Sequence, residues 1–208
     1  MTFQVMDLFC GAGGSSAGAR MAGAEVLHGI DCWDLAVQTF QDNFKGAIAE
    51  TRKLGPNSRP GWGVHRGDVD LLLASPECTN HSPAKGSKPR CEGSRRTSHY
   101  VLNFATRLKP RWIILENVVQ LRNWHGYDPL ITRLRNAGYF VRSQVLDAAD
   151  FGVPQTRRRL FVLCDRDRAP PEVRTRGRKG RTAADIISWN GAWESKPFYL
   201  EGRASPTL

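Results

Sequence analysis

Cys78 lies in a polar turn, Ser75-Pro76-Glu77-Cys78-Thr79-Asn80-His81-Ser82, directly after the apolar run at residues 69–74. Three chemistries are open to it. Inert packing fits poorly, because Glu77, Thr79, Asn80 and His81 surround it with polar groups rather than more strand core. Metal ligation needs partners, and His81, Cys91 and His99 are at hand. The second Cys…His pair has poor spacing, however, and the chain has no CxxC pair. Nucleophilic attack needs a thiolate, which nearby positive charge favours. A polar turn at a strand end suits that role best.

A second loaded stretch is Asp7-Leu8-Phe9-Cys10-Gly11-Ala12-Gly13-Gly14-Ser15-Ser16. Glycines between a strand and a helix let the backbone approach a ligand and aim N–H groups at it. A dinucleotide fingerprint needs glycine where Ser16 stands, and a Walker loop needs Lys-Ser/Thr where Ala19-Arg20 stands. Asp31 follows about twenty residues on, where an acid can hold both hydroxyls of a ribose. Cys32 and Trp33 beside it suit the flanks of an adenine ring. A glycine loop and a ribose acid without a phosphate cradle fit an adenosyl ligand such as S-adenosylmethionine. A purely structural turn is the alternative.

These residues need a scaffold that gathers them. Residues 4–9, 25–31, 69–75, 112–116 and 160–164 read as buried strands, and 32–44, 94–108 and 127–137 as helices. That alternation predicts an α/β fold, a doubly wound and mostly parallel sheet with its ligand edge at the strand carboxyl ends. The glycine loop, Asp31, Cys78 and Glu116-Asn117 all fall at such ends. Residues 55–67 read as an exposed loop. From Ala169 the composition shifts to Pro, Arg and Gly. The expected division is a cofactor-binding and catalytic domain at 1–168, then a basic extension at 169–208 with a short apolar patch (Ile186, Ile187, Trp189).

The 208 residues carry 30 Lys+Arg against 20 Asp+Glu, a net charge of +10. Lys85, Lys88, Arg90, Arg95 and Arg96 face only Glu92, and Arg174, Arg176, Arg178, Lys179 and Arg181 form a second block. Such clusters suit phosphate tracking along nucleic acid, or are simply a solvated face. Five cysteines without a CxxC pair argue against a disulfide framework and for a reducing compartment, the cytoplasm. No apolar run reaches membrane-spanning length, and no secretory signal is expected. Cys164 reads as strand core and His28 as a structural residue.

Four segments in order give the chain a family likeness. DLFCGAGGSSAG, ASPECTNHS, ILENV and DFGVPQTRRRLFVLC resemble the cofactor loop, catalytic cysteine loop, Glu-Asn-Val motif and Gln-x-Arg-x-Arg segment of the DNA (cytosine-5) methyltransferases. The resemblance implies methyl transfer from S-adenosylmethionine to C5 of cytosine, through a covalent Cys–C6 intermediate on a flipped base. It assigns catalysis to Cys78, Glu116, Asn117, Arg157 and Arg159. It assigns the cofactor to Asp7, Phe9, Cys10, Gly11, Gly13, Gly14, Asp31, Cys32, Trp33, Glu50 and Ser75. Arg157 and Arg159 are expected to point inward and Arg158 outward. Lys85 to Arg96 is expected to form a lid on duplex DNA.

The chain departs from the family at Glu77, where proline is usual, and at Asp31, where glutamate is usual. Glu50 is the best match for the family's third-strand acid. The family's target-recognition region and final motif have no counterpart, which implies a fragment or a split enzyme whose second chain carries them. A non-catalytic subunit and an RNA cytosine methyltransferase are the alternative readings.

Overall fold

The computed structural model describes residues 2–61, 63–82, 85–175, 180 and 182. Seven strands form one sheet: β1 (Gln4–Leu8), β2 (Glu25–Asp31), β3 (Ile48–Thr51), β4 (Leu71–Ala74), β5 (Trp112–Asn117), β6 (Phe140–Asp147) and β7 (Arg158–Asp165). Their order is β3-β2-β1-β4-β5-β7-β6. β1 pairs parallel with both β2 and β4, so the winding reverses at β1 and opens a crevice above its carboxyl end. β7 alone runs antiparallel, between β5 and β6. Its amino end, with Arg158 and Arg159, therefore reaches the edge where β5 ends, with Leu160 opposite Asn117.

Alternation along the strands divides the core between the two faces. Met6, Leu8, Leu72, Ile113 and Leu115 join one cluster, with α4 (Thr97–Leu108) and α5 (Tyr127–Asn136) supplying Val101, Leu102, Ala105, Leu108, Leu130 and Leu134. Val5, Val26 and Leu73 join the other, with Phe40 of α2 (Asp34–Asn43) and Phe44 just beyond it. A register shift between Val5 and Met6 sets Asp7 beside Gly29 and Leu8 beside Ile30. This puts Asp7 on the face of α1 (Gly14–Met21) and α2.

Local chemistry sets the boundaries. Val101, Leu102, Ala105 and Leu108 form one apolar stripe along α4. The helix stops where Lys109 turns left-handed ahead of Pro110. α1 begins behind Gly13, at φ 93°, where a Cβ would lie 2.5 Å from the Phe44 ring. Only glycine serves there. The helix expected at 94–108 is broken at Arg96 into a short α3 (Glu92–Arg95) and α4.

Two strands are additional to those expected from sequence. β3 and β6 are the sheet's outer strands, and their half-exposed patterns, with Arg142, Ser143 and Gln144 inside β6, give no apolar run to read. β7 also begins two residues before its apolar run, because β6 pairs with it as far as Asp147 opposite Arg158. Past residue 168 the chain stays on β6. Arg142 Nε donates to the Pro170 carbonyl (2.7 Å), and Gln144 exchanges two hydrogen bonds with the Val173 backbone. Arg176, Arg178, Lys179, Arg181 and the patch at Ile186, Ile187 and Trp189 lie outside the described residues.

Candidate active site

The glycine loop is built on backbone bonds. Cys10 N–H donates to the Ile30 carbonyl (3.1 Å), and Gly13 N–H returns to the Cys10 carbonyl (2.9 Å). Asp31 closes the arrangement, its Oδ2 accepting from Gly11 N–H (2.9 Å) and its Oδ1 from Trp33 N–H (3.0 Å). Each oxygen keeps a lone pair free, which is what a vicinal diol requires. Cys32 and Trp33 stand exposed beside it, Trp33 at 61%. An adenosyl group therefore fits this edge: the acid is fixed, its acceptors are available and an aromatic face is open.

Three residues assigned to the cofactor sit differently from a contact. Asp7 is wholly buried beneath the loop, where its Oδ2 accepts from Ser16 Oγ (2.7 Å) and its Oδ1 has no partner. Burial pushes its pKa up to about 7, against the pull of the Ser16 bonds. Asp7 therefore shapes the loop from below. Glu50 faces away from Asp31, because the register sets it opposite Ile30. Its carboxylate meets His28 (3.3 Å) and Arg52 (3.1 Å). Burial holds the His28 pKa down, so the ring serves as a neutral packing group. Phe9, left-handed at φ 57°, packs partly buried against the α4/α5 cluster. The Cys10 thiol is buried too, donating to the Gly11 carbonyl (3.5 Å), and burial raises its pKa far out of reach of ionisation.

The catalytic candidates gather across the crevice. Glu116 Oε1 lies 3.0 Å from Arg159 Nε and 3.9 Å from Arg157 Nη2; Arg159 is partly buried, whereas Arg157, expected inward, is exposed like Arg158. Desolvation raises the Glu116 pKa, and the two arginines only partly offset it. The carboxyl is thereby kept closer to its protonated form than an exposed glutamate. Asn117 turns to the opposite face, is buried, and donates from Nδ2 to the Pro76 carbonyl (3.0 Å). Cys78 follows Pro76 by two residues, partly exposed. Its carbonyl accepts from His81 N–H (2.9 Å) and Ser82 N–H (3.0 Å), which fixes the turn.

One cavity of about 660 Å³ joins the two sides. Cys10, Gly14, Ser15 and Ser75 line it from the glycine loop, and Glu116, Arg157 and Arg159 from β5 and β7. Asp31, Trp33, Glu50, Cys78 and Asn117 are not among its lining residues. Sequence reasoning missed Ser15, whose hydroxyl sits 3.3 Å from that of Ser75, although it stands inside the glycine stretch. It also missed the outer wall of Leu146, Ala148 and Phe151, which follows from an outer strand with no readable pattern.

The expected lid is turned inward. Asn80, buried, accepts at its side-chain oxygen from Lys85 Nζ and Cys91 N–H, and at its carbonyl from Arg90 Nη1 and Arg95 Nε (3.1 Å each). Arg96 leans towards Glu92 (3.8 Å), and Lys88 remains exposed. Three of the five expected DNA-facing cations thus clasp the cysteine turn. The zinc alternative finds no support: among the described residues no three His, Cys, Asp or Glu side chains converge to hold a metal ion.

The C-5 cytosine-specific DNA methylase family matches residues 3–185. The type II methyltransferase M.HgiDI of Herpetosiphon aurantiacus is 33% identical over 163 residues, covering 77% of this chain and 51% of the relative. M.HindV of Haemophilus influenzae is 29% identical over 158 residues, covering 76% and 51%. The chain thus spans about half the length of these curated relatives. Among solved structures, the S. pombe Dnmt2 methyltransferase shares the fold, with TM-score 0.67 at 20% identity over 91% of this chain and 60% of that one. The sheet order, the glycine loop, the cysteine turn and the Glu116–Arg159 pair thus come together in a chain that belongs to the C-5 cytosine-specific DNA methylase family.

Proposed function

We propose that this chain is the cofactor-binding and catalytic core of an S-adenosylmethionine-dependent methyltransferase acting at C5 of cytosine in DNA. One observation carries the reading. A single cavity runs from Gly14, Ser15 and Ser75 to Glu116, Arg157 and Arg159, and Asn117 ties the Cys78 loop to the same edge. Bound S-adenosylmethionine supplies an electrophilic methyl group, which an unactivated cytosine C5 is too weak a nucleophile to accept.

The residues supply the activation. The Cys78 thiolate adds to C6, which pushes electron density onto C5 and negative charge towards N3. Glu116, whose pKa burial raises, donates to N3 and carries that charge. Arg159 fixes the Glu116 carboxyl and reaches towards the base carbonyl, with Arg157 in support. After C5 is substituted, solvent takes the C5 proton, the thiolate leaves C6, and N3 returns its proton to the Glu116 carboxylate, which restores the ring. Asp31 holds the ribose, and Trp33 and Cys32 flank the adenine. Because C5 and C6 are stacked inside a duplex, the target base is flipped into the crevice.

The chain spans about half the length of these curated relatives, and base reading is assigned to sequence outside the stretch it shares with them. The basic surface holds the DNA backbone, so affinity falls steeply with salt. Five cysteines without a CxxC pair support a reducing setting, the cytoplasm. Among the described residues no helix is long and apolar enough to cross a membrane.

The test is tritiated-methyl transfer to duplex DNA by the 208-residue chain, alone and with a partner carrying the recognition region, at two salt concentrations. Little site-specific transfer alone and restoration by the partner are expected. Robust site-specific activity from the chain alone would overturn the placement of recognition. No transfer under any pairing, with cofactor bound, would overturn the catalytic reading.

A further inference from the structure

Cys78 sits midway between two anchors. Two residues before it, the Pro76 carbonyl is held by the Asn117 side chain of β5. Two residues after it stands Asn80, only 5% exposed. A carboxamide has two N–H donors and two lone pairs on its oxygen, and Asn80 engages all four. Its Nδ2 donates to Ser94 Oγ (2.7 Å) and Glu77 Oε1 (3.3 Å), and its Oδ1 accepts from Cys91 N–H (2.8 Å) and Lys85 Nζ. Its backbone carbonyl takes two more bonds, from Arg90 Nη1 and Arg95 Nε.

These partners do two jobs. Cys91, Ser94 and Arg95 belong to α3 and its cap, and α3 is pinned in turn by Trp124 Nε1–H donating to Glu92 (2.9 Å). They fasten the turn to the folded body. Glu77 lies on the far side of Cys78, so the Glu77–Asn80 bond closes the turn round the cysteine itself. The backbone follows the same path, with the Cys78 carbonyl accepting from His81 N–H and Ser82 N–H. A fully satisfied buried network of this kind specifies one arrangement. Aspartate at position 80 lacks the N–H groups for Ser94 and Glu77, and alanine meets none of the four partners. Proline, usual at position 77, fixes the backbone through its ring; in this chain side chains supply the restraint.

We propose that Asn80 is a positioning residue for the nucleophile: together with Glu77 it takes the place of a proline ring and sets where the Cys78 thiol stands. That the thiol stands there to meet a base rests on the function proposed above, whereas the restraint on the thiol does not. The glycine loop and Asp31 share none of these bonds. Loosening Asn80 therefore slows attack by Cys78 and spares the cofactor.

The experiment takes three readings on the full chain. In the chain alone, alkylation of Cys78 by iodoacetamide is timed by peptide mapping against Cys32, which is exposed and remote from the turn. With a partner carrying the recognition region, the covalent adduct of Cys78 with duplex containing 5-fluorocytosine is timed at saturating DNA and cofactor. Calorimetry gives S-adenosylmethionine affinity. Asn80→Ala should slow the adduct about 10²-fold, the penalty for a reacting atom misplaced by about 1 Å, and leave cofactor affinity unchanged. It should also speed Cys78 alkylation relative to Cys32, because the held thiol is only partly exposed. Ser94→Ala, which removes a single partner, should move both rates in the same directions by less. Glu77→Pro added to Asn80→Ala should recover about tenfold of the lost adduct rate. The ring is compatible with position 77, where φ is not positive and the N–H donates to no described residue.

An Asn80→Ala adduct rate equal to the parent's, a matching loss of cofactor affinity, or a double variant as slow as Asn80→Ala would each overturn the positioning role. A parent that forms no adduct with any partner, while Cys78 alkylation still responds to Asn80→Ala, would sink the proposed function and leave the restraint on the thiol standing.

Discussion

The Asn117 side-chain amide donates to the Pro76 carbonyl, joining the end of β5 to the cysteine loop across 41 positions of sequence. The bond is buried, and Asn117 Oδ1 also accepts from Val118 N–H (2.9 Å). Asn117→Ala strands a buried carbonyl and should cost about 1–3 kcal/mol of stability. It should lower the methyl-transfer rate far more than cofactor affinity, because the glycine loop is untouched. Urea unfolding and calorimetry, run in parallel with the transfer assay, check both halves. An unchanged unfolding midpoint would remove the structural role assigned to this bond.

Cys78→Ser should abolish methyl transfer and leave cofactor affinity nearly unchanged, since Cys78 is assigned to the base, and the glycine loop and Asp31 to the cofactor. The parent, assembled with its partner, should form a covalent adduct with DNA containing 5-fluorocytosine. Peptide mapping decides the matter: an adduct on Cys10 or Cys91 would sink the nucleophile assignment.

Asp31→Ala removes an acceptor already organised by two backbone amides. Binding of S-adenosylmethionine should weaken by about 1–3 kcal/mol, the range for a charge-assisted hydrogen bond. Titration calorimetry giving the parent's affinity would exclude Asp31 from the ribose.

Glu116→Gln keeps the shape and loses the proton donor, so the transfer rate should fall by about 10²–10⁴-fold. In the parent the active form is the acid. Activity should therefore decline as pH rises through the Glu116 pKa, which burial places above the usual carboxylate range. The remaining activity of the glutamine variant should lack that decline. A parent profile that rises over the same range would contradict the assigned role.

Asp7 offers a pH test of stability. Its folded pKa is about 7, against 3.8 for the free side chain. Folding thus favours the protonated form. The stabilising difference is complete below pH 3.8, shrinks as pH rises and is gone above pH 7. Asp7→Asn, which cannot ionise and still accepts from Ser16, should therefore be more stable than the parent at pH 8. The gain should be of the order of 1–4 kcal/mol, since one pKa unit corresponds to about 1.4 kcal/mol. It should vanish near pH 4. Chemical unfolding at the two pH values reads this directly, and an equal margin at both would contradict it.

The sequence revealed this molecule wherever one signal dominated. Short apolar runs announced the central strands, and polar or glycine residues just past them announced the ligand edge. β3 and β6 escaped because an outer strand half open to solvent has no apolar run, and the cavity wall built on β6 escaped with it. Glu50 was assigned through the resemblance, as the best match for the family's third-strand acid, but register decides the face, and it faces His28. The basic run 85–96 advertised an outward surface. Its inward turn depends on Asn80, whose role as a shared acceptor exists only once the turn has folded.

The order β5-β7-β6 also has a consequence for synthesis on the ribosome. β6 is made before β7, yet β7 is the strand that joins it to the sheet. Until residues 158–165 emerge, β5 carries a bare hydrogen-bonding edge and β6 has no sheet partner. The nascent chain thus passes through a stage in which two strands are open to pairing with other chains. Translation that stalls before residue 158 leaves the chain at that stage, and release of β7 closes the outer half of the sheet in a single insertion.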